Sequence, residues 1–333
     1  MRIVIVSDAW LPQTNGVVRT LGALRRELEG LGHDVVMVTP EHFTTIACPT
    51  YAEIRLAVAP GFELERRIIE ARPDAIHVAT EGPLGIAARR FCRRRGLSFT
   101  TSFHTKFPEY IESRLGIPPK WTWELLRRFH APAACTMVAT GSIQRELESH
   151  GFRQLKRWTR GVDLTLFQPQ AQKPATDWQR PIFLSVGRVA VEKNLPAFLE
   201  LDLPGTKLVV GDGPARAALA QQYRGARFLG RLEGAELAAV YAMADVFVFP
   251  SLTDTFGLVL LEALASGVPV AAFPVAGPLD VIEESGVGIL DWDLRAAALG
   301  ALEIDPASCR DRALDFTWTA SAQQFLGNLE ALG

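Results

Sequence analysis

The sequence predicts an α/β protein of two Rossmann-like domains facing each other across a cleft. Three observations carry that expectation. A chain of 333 residues, 48% hydrophobic and 22% charged, exceeds one ordinary core and suits two domains of about 150 residues each. Short apolar runs bounded by turn residues recur with helical patterns between them: IVIVSD, DVVMVTP, AIHVAT, SFTTSFHT and CTMVATGS. Such runs suit parallel strands buried on both faces, each followed by a crossover helix. The rhythm then restarts after Pro181 with IFLSVGR, KLVVGDGP, ARFLG, VFVFPS and PVAAFPV, as a second doubly wound sheet requires.

Between the two series lies TRGVDLTLFQPQAQKPATDWQRP, with three prolines and no sustained periodicity, which reads as a linker and puts the boundary near Thr165. The opening MRIVIVSDAW has an apolar run of only four residues before Ser7 and Asp8. That is too short for a secretory signal and reads as a first buried strand. Leu258 to Gly277 carries one charge in twenty residues, but Gly267, Pro269, Pro274 and Gly277 divide it into elements too short to span a bilayer. The four cysteines are widely spaced without a C-x-x-C pair, which argues against a zinc site or disulfide framework and fits a reducing cytoplasm. Residues 1–165 hold 23 Lys and Arg against 17 Asp and Glu, a balance of +6, and the remainder holds 12 against 20, a balance of −8. A basic half suits an anionic surface. Nothing resembling a nucleic-acid module accompanies the charge, so nucleic acid is not expected as a partner.

In open α/β sheets ligands bind beyond the carboxyl ends of the strands. SVGRVAVEKNL places Gly187, Arg188 and Lys193 there, two cations able to hold a diphosphate by charge-assisted hydrogen bonds; a solvated loop with an internal Glu192 pair is the plainer alternative. VVGDGP runs from a strand into a Gly-Asp-Gly turn before a helix, where bare N–H groups can face an anion or simply make a turn. In TDTFGLVLLEALASG, Thr253 or Thr255 is expected to cap a helix beginning at Phe256 to Gly257. The backbone of Thr255, Phe256, Gly257 and Leu258 would then be left to bind an anion or sugar oxygens. Glu262 lies among Leu260, Leu261, Ala263 and Leu264, where an unpaired carboxylate would cost several kcal/mol. A sugar or ribose diol can supply the donors it needs, with Asp254 reaching another part of the same molecule. The alternative is that Glu262 pairs with a Lys or Arg and Asp254 caps the helix.

The first half adds LPQTNGVVRTL, with Asn15 and Gly16 at a helix start, and TTSFHTKFPEY, with His104 ending a strand. The glycine loop could close over phosphate, although it is no G-x-G-x-x-G fingerprint and so does not support a nicotinamide dehydrogenase. His104 is placed for ligand contact as readily as for the core. The remaining histidines lack metal spacing and no Asp-x-Asp pair exists to hold a divalent ion beside a diphosphate.

Taken in order, NGVVRTL, SFHTKFPEY, VGRVAVEKNL, GDGP, YAMADVFVFPS and DTFGLVLLEALASG resemble the retaining glycosyltransferases of family four, which have the GT-B fold. DFTWTASAQQFLGNL resembles that family's closing helix. The resemblance implies an N-terminal acceptor-binding domain over 1–165, a C-terminal nucleotide-sugar-binding domain over 166–315, and a segment 316–333 crossing back. It also implies that Gly16 meets donor phosphate through its backbone, that His104 bonds the transferred sugar, and that Arg188 and Lys193 neutralise the departing diphosphate. Glu262 would bind the ribose, and backbone near Arg231 and Leu232 the base. Asp254 stands where the family's E-x7-E motif usually has glutamate, one methylene shorter at the position that meets the sugar's 3- and 4-hydroxyls. The implied reaction is retaining transfer without a metal, protein cations taking up the charge that grows on the leaving group. No cofactor is implied beyond the donor, a UDP-sugar.

Within the family, DAWLPQTNGVVRTL, CPTYAEIRLA and FHTKFPEY look most like the branch that glycosylates membrane lipids such as diacylglycerol. AARRFCRRRGL, with five arginines between Arg89 and Arg95, and WTWELLRRFH, with Trp121, Trp123, Leu125, Leu126 and Phe129 beside Arg127 and Arg128, suit docking on anionic lipid. The expectation is therefore a lipid acceptor and peripheral association with the cytoplasmic face of the membrane. A GDP-mannose-dependent mannosyltransferase is the nearest alternative, and a nucleotide-sugar-binding or epimerase-type protein is the alternative from another class.

Overall fold

Two six-stranded sheets, all of whose ladders are parallel, organise the chain in a computed structural model. It describes every residue except 14, 49–50, 107–117, 171–172, 283–284 and 333, and the side chains of 51–53. The parts of the lipid-branch motifs at Thr14, Pro49, Thr50 and Phe107–Tyr110 lie outside the described residues. The chain divides into two units, Met1–Thr159 with Trp318–Gly333, and Arg160–Thr317. Thr165 falls inside the second unit because Arg310 donates to the carbonyls of Leu164 (2.9 Å) and Phe167 (2.7 Å).

In the first unit the strands β1 (Arg2–Val6), β2 (Asp34–Val38), β5 (Ala75–Val78), β6 (Thr100–Phe103), β7 (Thr136–Val138) and β8 (Leu155–Arg157) lie in the order β2-β1-β5-β6-β7-β8. A hairpin of β3 (Thr45–Cys48) and β4 (Tyr51–Ala57) stands apart from them. The central strands are buried on both faces, which is why they read as unbroken apolar runs. One face is covered by helices Gly61–Ala71, Pro83–Arg95 and Pro119–His130 through Leu64, Ile68, Leu84, Phe91 and Phe129. The other is covered by helix Gly16–Gly30 and the late helix Trp318–Asn328, which drives Ala322 and Phe325 between Ile3, Ile5 and Trp158. Trp158 Nε1 donates to Ser321 Oγ (3.1 Å), and Leu332 N to Asp74 O (2.8 Å).

The second unit repeats the plan with β9 (Ile182–Val186), β10 (Thr206–Val210), β11 (Ala226–Gly230), β12 (Val246–Phe249), β13 (Val270–Ala272) and β14 (Gly288–Leu290), ordered β11-β10-β9-β12-β13-β14. The order reverses between β9 and β12, the switch point where doubly wound sheets bind ligands. The apolar stretch after Leu258 becomes helix Leu258–Ala265 and strand β13. Among the described residues no helix is long and apolar enough to cross a membrane.

Candidate functional site

The carboxyl edge of the second sheet is drawn together by backbone bonds between successive loops. Gly187 N donates to Val210 O (3.0 Å), Val189 N to Asp212 O (2.9 Å) and Gly211 N to Gly230 O (2.7 Å). At Gly211 the approach leaves no room for a side chain: a Cβ there, at φ +134°, would lie 1.8 Å from Gly187 O. Half-buried Arg188 is held in this stitched loop. We expect Gly211→Ala to cost several kcal/mol through strain and clash combined, read as a fall of the unit's thermal midpoint; an unchanged midpoint would show that the loops move apart freely.

A second set of ties joins the loop after β9 to the loop after β12. The turn Val191–Lys193 ends on Asn194 in the left-handed region (φ 51°), and Asn194 Nδ2 donates to Pro250 O (3.1 Å). Ser251 Oγ and Thr253 Oγ1 each reach Glu192 O at 3.5 Å. At the end of these ties Lys193 Nζ donates to both carboxylate oxygens of Asp254, at 2.6 and 2.8 Å. The two side chains retain 24% and 19% of their exposure. Lys193 and Asp254, assigned separately to diphosphate and sugar, are thus brought together.

The helix after this loop starts at Leu258 on an N-cap of Gly257 (φ 84°), with no side-chain cap bond. The expected cap at Thr253 is corrected: its hydroxyl reaches Glu192 O, and the N-cap position is Gly257, whose left-handed backbone redirects the chain one residue before the helix. Phe256 is buried, and Thr255, Gly257 and Leu258 are half-buried.

Glu262 is 3% exposed, and its Oε2 accepts from the hydroxyl of fully buried Tyr241 at 3.0 Å. Tyr241 sits on helix Gly234–Met243, immediately before β12. The expected alternatives for Glu262 were a ligand diol or a Lys or Arg; the sequence reading missed the tyrosine. Its signal was a single phenol in an apolar helix, whose hydroxyl needs a partner once buried. Arg231 and Leu232 follow β11, with Arg231 exposed and bonded to Glu233 Oε1 (2.9 Å).

In the first unit Gly16 opens helix Gly16–Gly30 and is exposed, and Asn15 Oδ1 caps that helix by accepting from Val17 N and Val18 N at 3.0 Å. His104 follows β6 directly, half-buried, its ring edge-on to Trp158 at 5.6 Å. Asp8, passed over in the sequence, lies two residues beyond β1 and accepts from Leu84 N (2.8 Å), Gly85 N (3.2 Å) and Thr80 Oγ1 (2.9 Å). Burial pushes its carboxyl above the usual range despite those bonds. Gly82 is required beside it, since a Cβ there would lie 2.4 Å from Asp8 Cγ.

The basic and aromatic clusters are also redistributed. Arg89 is not a docking cation: its guanidinium donates to Phe129 O and Arg128 O, both at 2.8 Å, closing the end of helix Pro119–His130. Arg94 pairs with Glu65, and Arg127 and Arg128 with Glu124. Trp123 is core, stacked on His150 at 4.0 Å, and Leu126 and Phe129 are buried. Trp121 and Leu125 stay exposed, at 65% and 68%, on one face with Arg128. Among the described residues no group of three His, Cys, Asp or Glu could hold a metal ion.

Residues 14–166 match the Glycosyltransferase Family 4 profile, and residues 180–302 match Glycosyl transferases group 1. A GDP-mannose-dependent alpha-mannosyltransferase of Mycolicibacterium smegmatis is 32% identical over 100% of this chain and 98% of its own. Sulfoquinovosyl transferase SQD2 of Arabidopsis thaliana is 31% identical over 79% of this chain and 57% of its own. Alpha-monoglucosyldiacylglycerol synthase of Streptococcus pneumoniae is 27% identical over 98% and 83%. Sucrose-phosphate synthase from Thermosynechococcus elongatus superposes with a TM-score of 0.78 at 22% identity, covering 98% of this chain and 97% of that one. The two matched profiles, the full-length relative and the paired Rossmann-like sheets lead to one conclusion: this chain is a hexosyltransferase of glycosyltransferase family 4 with the GT-B fold.

Proposed function

We propose that the protein transfers a hexose from a nucleoside-diphosphate sugar to a hydroxyl of a membrane lipid, with retention of configuration and without a metal. The observation that carries this reading is the convergence of Arg188, Lys193 and Asp254 on tied loops at the switch point of the second sheet, with Glu262 buried in the adjoining helix. Cations in that place stabilise a departing diphosphate, and carboxylates hold the hydroxyls of ribose and sugar. Gly16 and His104 belong to the other unit, and their contacts with phosphate and sugar rest on the family resemblance.

The full-length relative and the sequence motifs support different donors. The full-length match to a GDP-mannose-dependent enzyme favours GDP-mannose, while a UDP-sugar remains the reading from the lipid-type motifs. For the acceptor, the diacylglycerol-type relative supports a lipid. The decisive experiment incubates the protein with labelled UDP-glucose, UDP-galactose, UDP-glucuronic acid and GDP-mannose plus total membrane lipid. Label entering the organic phase supports the proposal and names the donor; label released only as free or rearranged sugar overturns it in favour of a binding or epimerase-type protein.

The basic first half and the exposed Trp121–Leu125 face support peripheral docking on the cytoplasmic side of the membrane. Each basic residue near an anionic bilayer contributes about 1 kcal/mol, and salt screens it. Neutralising Arg93, Arg94 and Arg95 together should weaken binding to phosphatidylglycerol vesicles roughly tenfold or more, and Trp121→Ser with Leu125→Ser should weaken what remains at high salt. Binding that ignores both salt and the arginine changes would reject an electrostatic contribution.

A further inference from the structure

The Lys193–Asp254 pair is held by loops whose backbones are themselves tied, through Asn194 to Pro250 and through Glu192 to Ser251 and Thr253. It is therefore no casual surface contact. Lys193 meets both carboxylate oxygens, so the ammonium assigned to the diphosphate is also the counterion of Asp254. A diphosphate that draws Lys193 to itself leaves the Asp254 carboxylate close to a multiply charged anion, with its bidentate donor gone.

We propose that this ion pair is an exchange contact that makes the site prefer a loaded donor to a spent one. Resting on the donor site proposed above, the inference adds a role for Asp254 besides touching the sugar. The pair opens at low cost only when both halves are compensated at once: the diphosphate takes Lys193 while sugar hydroxyls donate to Asp254. A nucleoside diphosphate without its sugar offers the first partner and not the second, and meets Asp254 as a like charge. The preference is thus enforced by repulsion of the wrong ligand as well as attraction of the right one. After transfer the sugar no longer satisfies Asp254, so the carboxylate competes for Lys193 again and helps to expel the nucleotide.

The test is calorimetric titration of the wild-type protein and the variants Asp254→Asn and Asp254→Glu with UDP, UDP-glucose, GDP and GDP-mannose, and with UMP and GMP as ligands lacking the second phosphate. Asn is close in shape and removes the charge; Glu keeps the charge. With the nucleotide whose base the protein accepts, the wild type should bind the sugar nucleotide more tightly than the bare diphosphate. Asp254→Asn should bind the bare diphosphate at least tenfold more tightly than the wild type and lose that preference, with the monophosphate much less affected. Asp254→Glu should retain the preference. Bare diphosphate affinity that is unchanged or weaker in Asp254→Asn, in a protein melting at the wild-type temperature, overturns the exchange contact while leaving the donor site standing. If the wild type binds none of the six nucleotides, the donor site falls and the exchange contact with it.

Discussion

Lys193→Ala should lower kcat for sugar transfer by about 10²–10³-fold while leaving the KM for the donor within a few fold, and Arg188→Ala should do much the same. Negative charge on the diphosphate grows as the glycosidic bond breaks, so a cation fixed beside it is worth more in the transition state than in the ground state. Arg188 lies in a loop stitched to its neighbours, and Lys193 at the end of a turn fixed by Asn194. If they act on one leaving group, the double variant should lose less than the product of the single losses. Steady-state kinetics with the donor identified by the lipid assay provides the measurement. Ordinary turnover in both single variants would remove the leaving-group assignment.

Glu262→Ala is expected to show its effect in binding instead. If its carboxylate holds the ribose, affinity for the bare nucleotide should fall by roughly 10–100-fold, as for loss of a charge-assisted bond of about 1.5–3 kcal/mol. The substitution also removes the 3.0 Å acceptor of the buried Tyr241 hydroxyl and leaves it Val259 O at 3.4 Å, at a cost of about 1 kcal/mol in stability. Glu262→Gln, which keeps an oxygen for Tyr241, separates the two effects. A nucleotide lacking the 2′- and 3′-hydroxyls should bind the wild type and the variants alike. Equal loss of affinity for the ribo and dideoxy nucleotides would mean that Glu262 supports the fold and touches no ribose.

Much of the fold was readable because the central strands are buried on both faces and therefore spell themselves as apolar runs, from Ile3–Val6 through Val246–Phe249. Of the four edge strands, β2 and β11 were readable and β8 and β14 were not. β8 is Leu-Lys-Arg and β14 is three residues long; edge positions have one neighbour and need no continuous apolar stretch. The hairpin β3–β4 escaped for a related reason, since much of β3 is exposed. At the site, residue types and their places after strands were legible, but pairings were not. That Lys193 reaches Asp254, 61 residues away, depends on β9 and β12 being neighbours across the switch point. Tyr241 and Arg89 show the same limit from the other side: a buried polar group finds its partner in three dimensions, and a run of five arginines conceals one already engaged with helix carbonyls.

The first unit leaves off at Thr159 and resumes at Trp318, and that interruption bears on how the molecule is made. At about 5–20 residues per second on the ribosome, the intervening segment takes on the order of 10–30 s to emerge. Throughout that time the groove for Phe325 beside Trp158 stands open and oily, awaiting a plug not yet synthesised. The later-made half carries its own complete sheet and has no such wait, so it is the older half of the polypeptide that matures last.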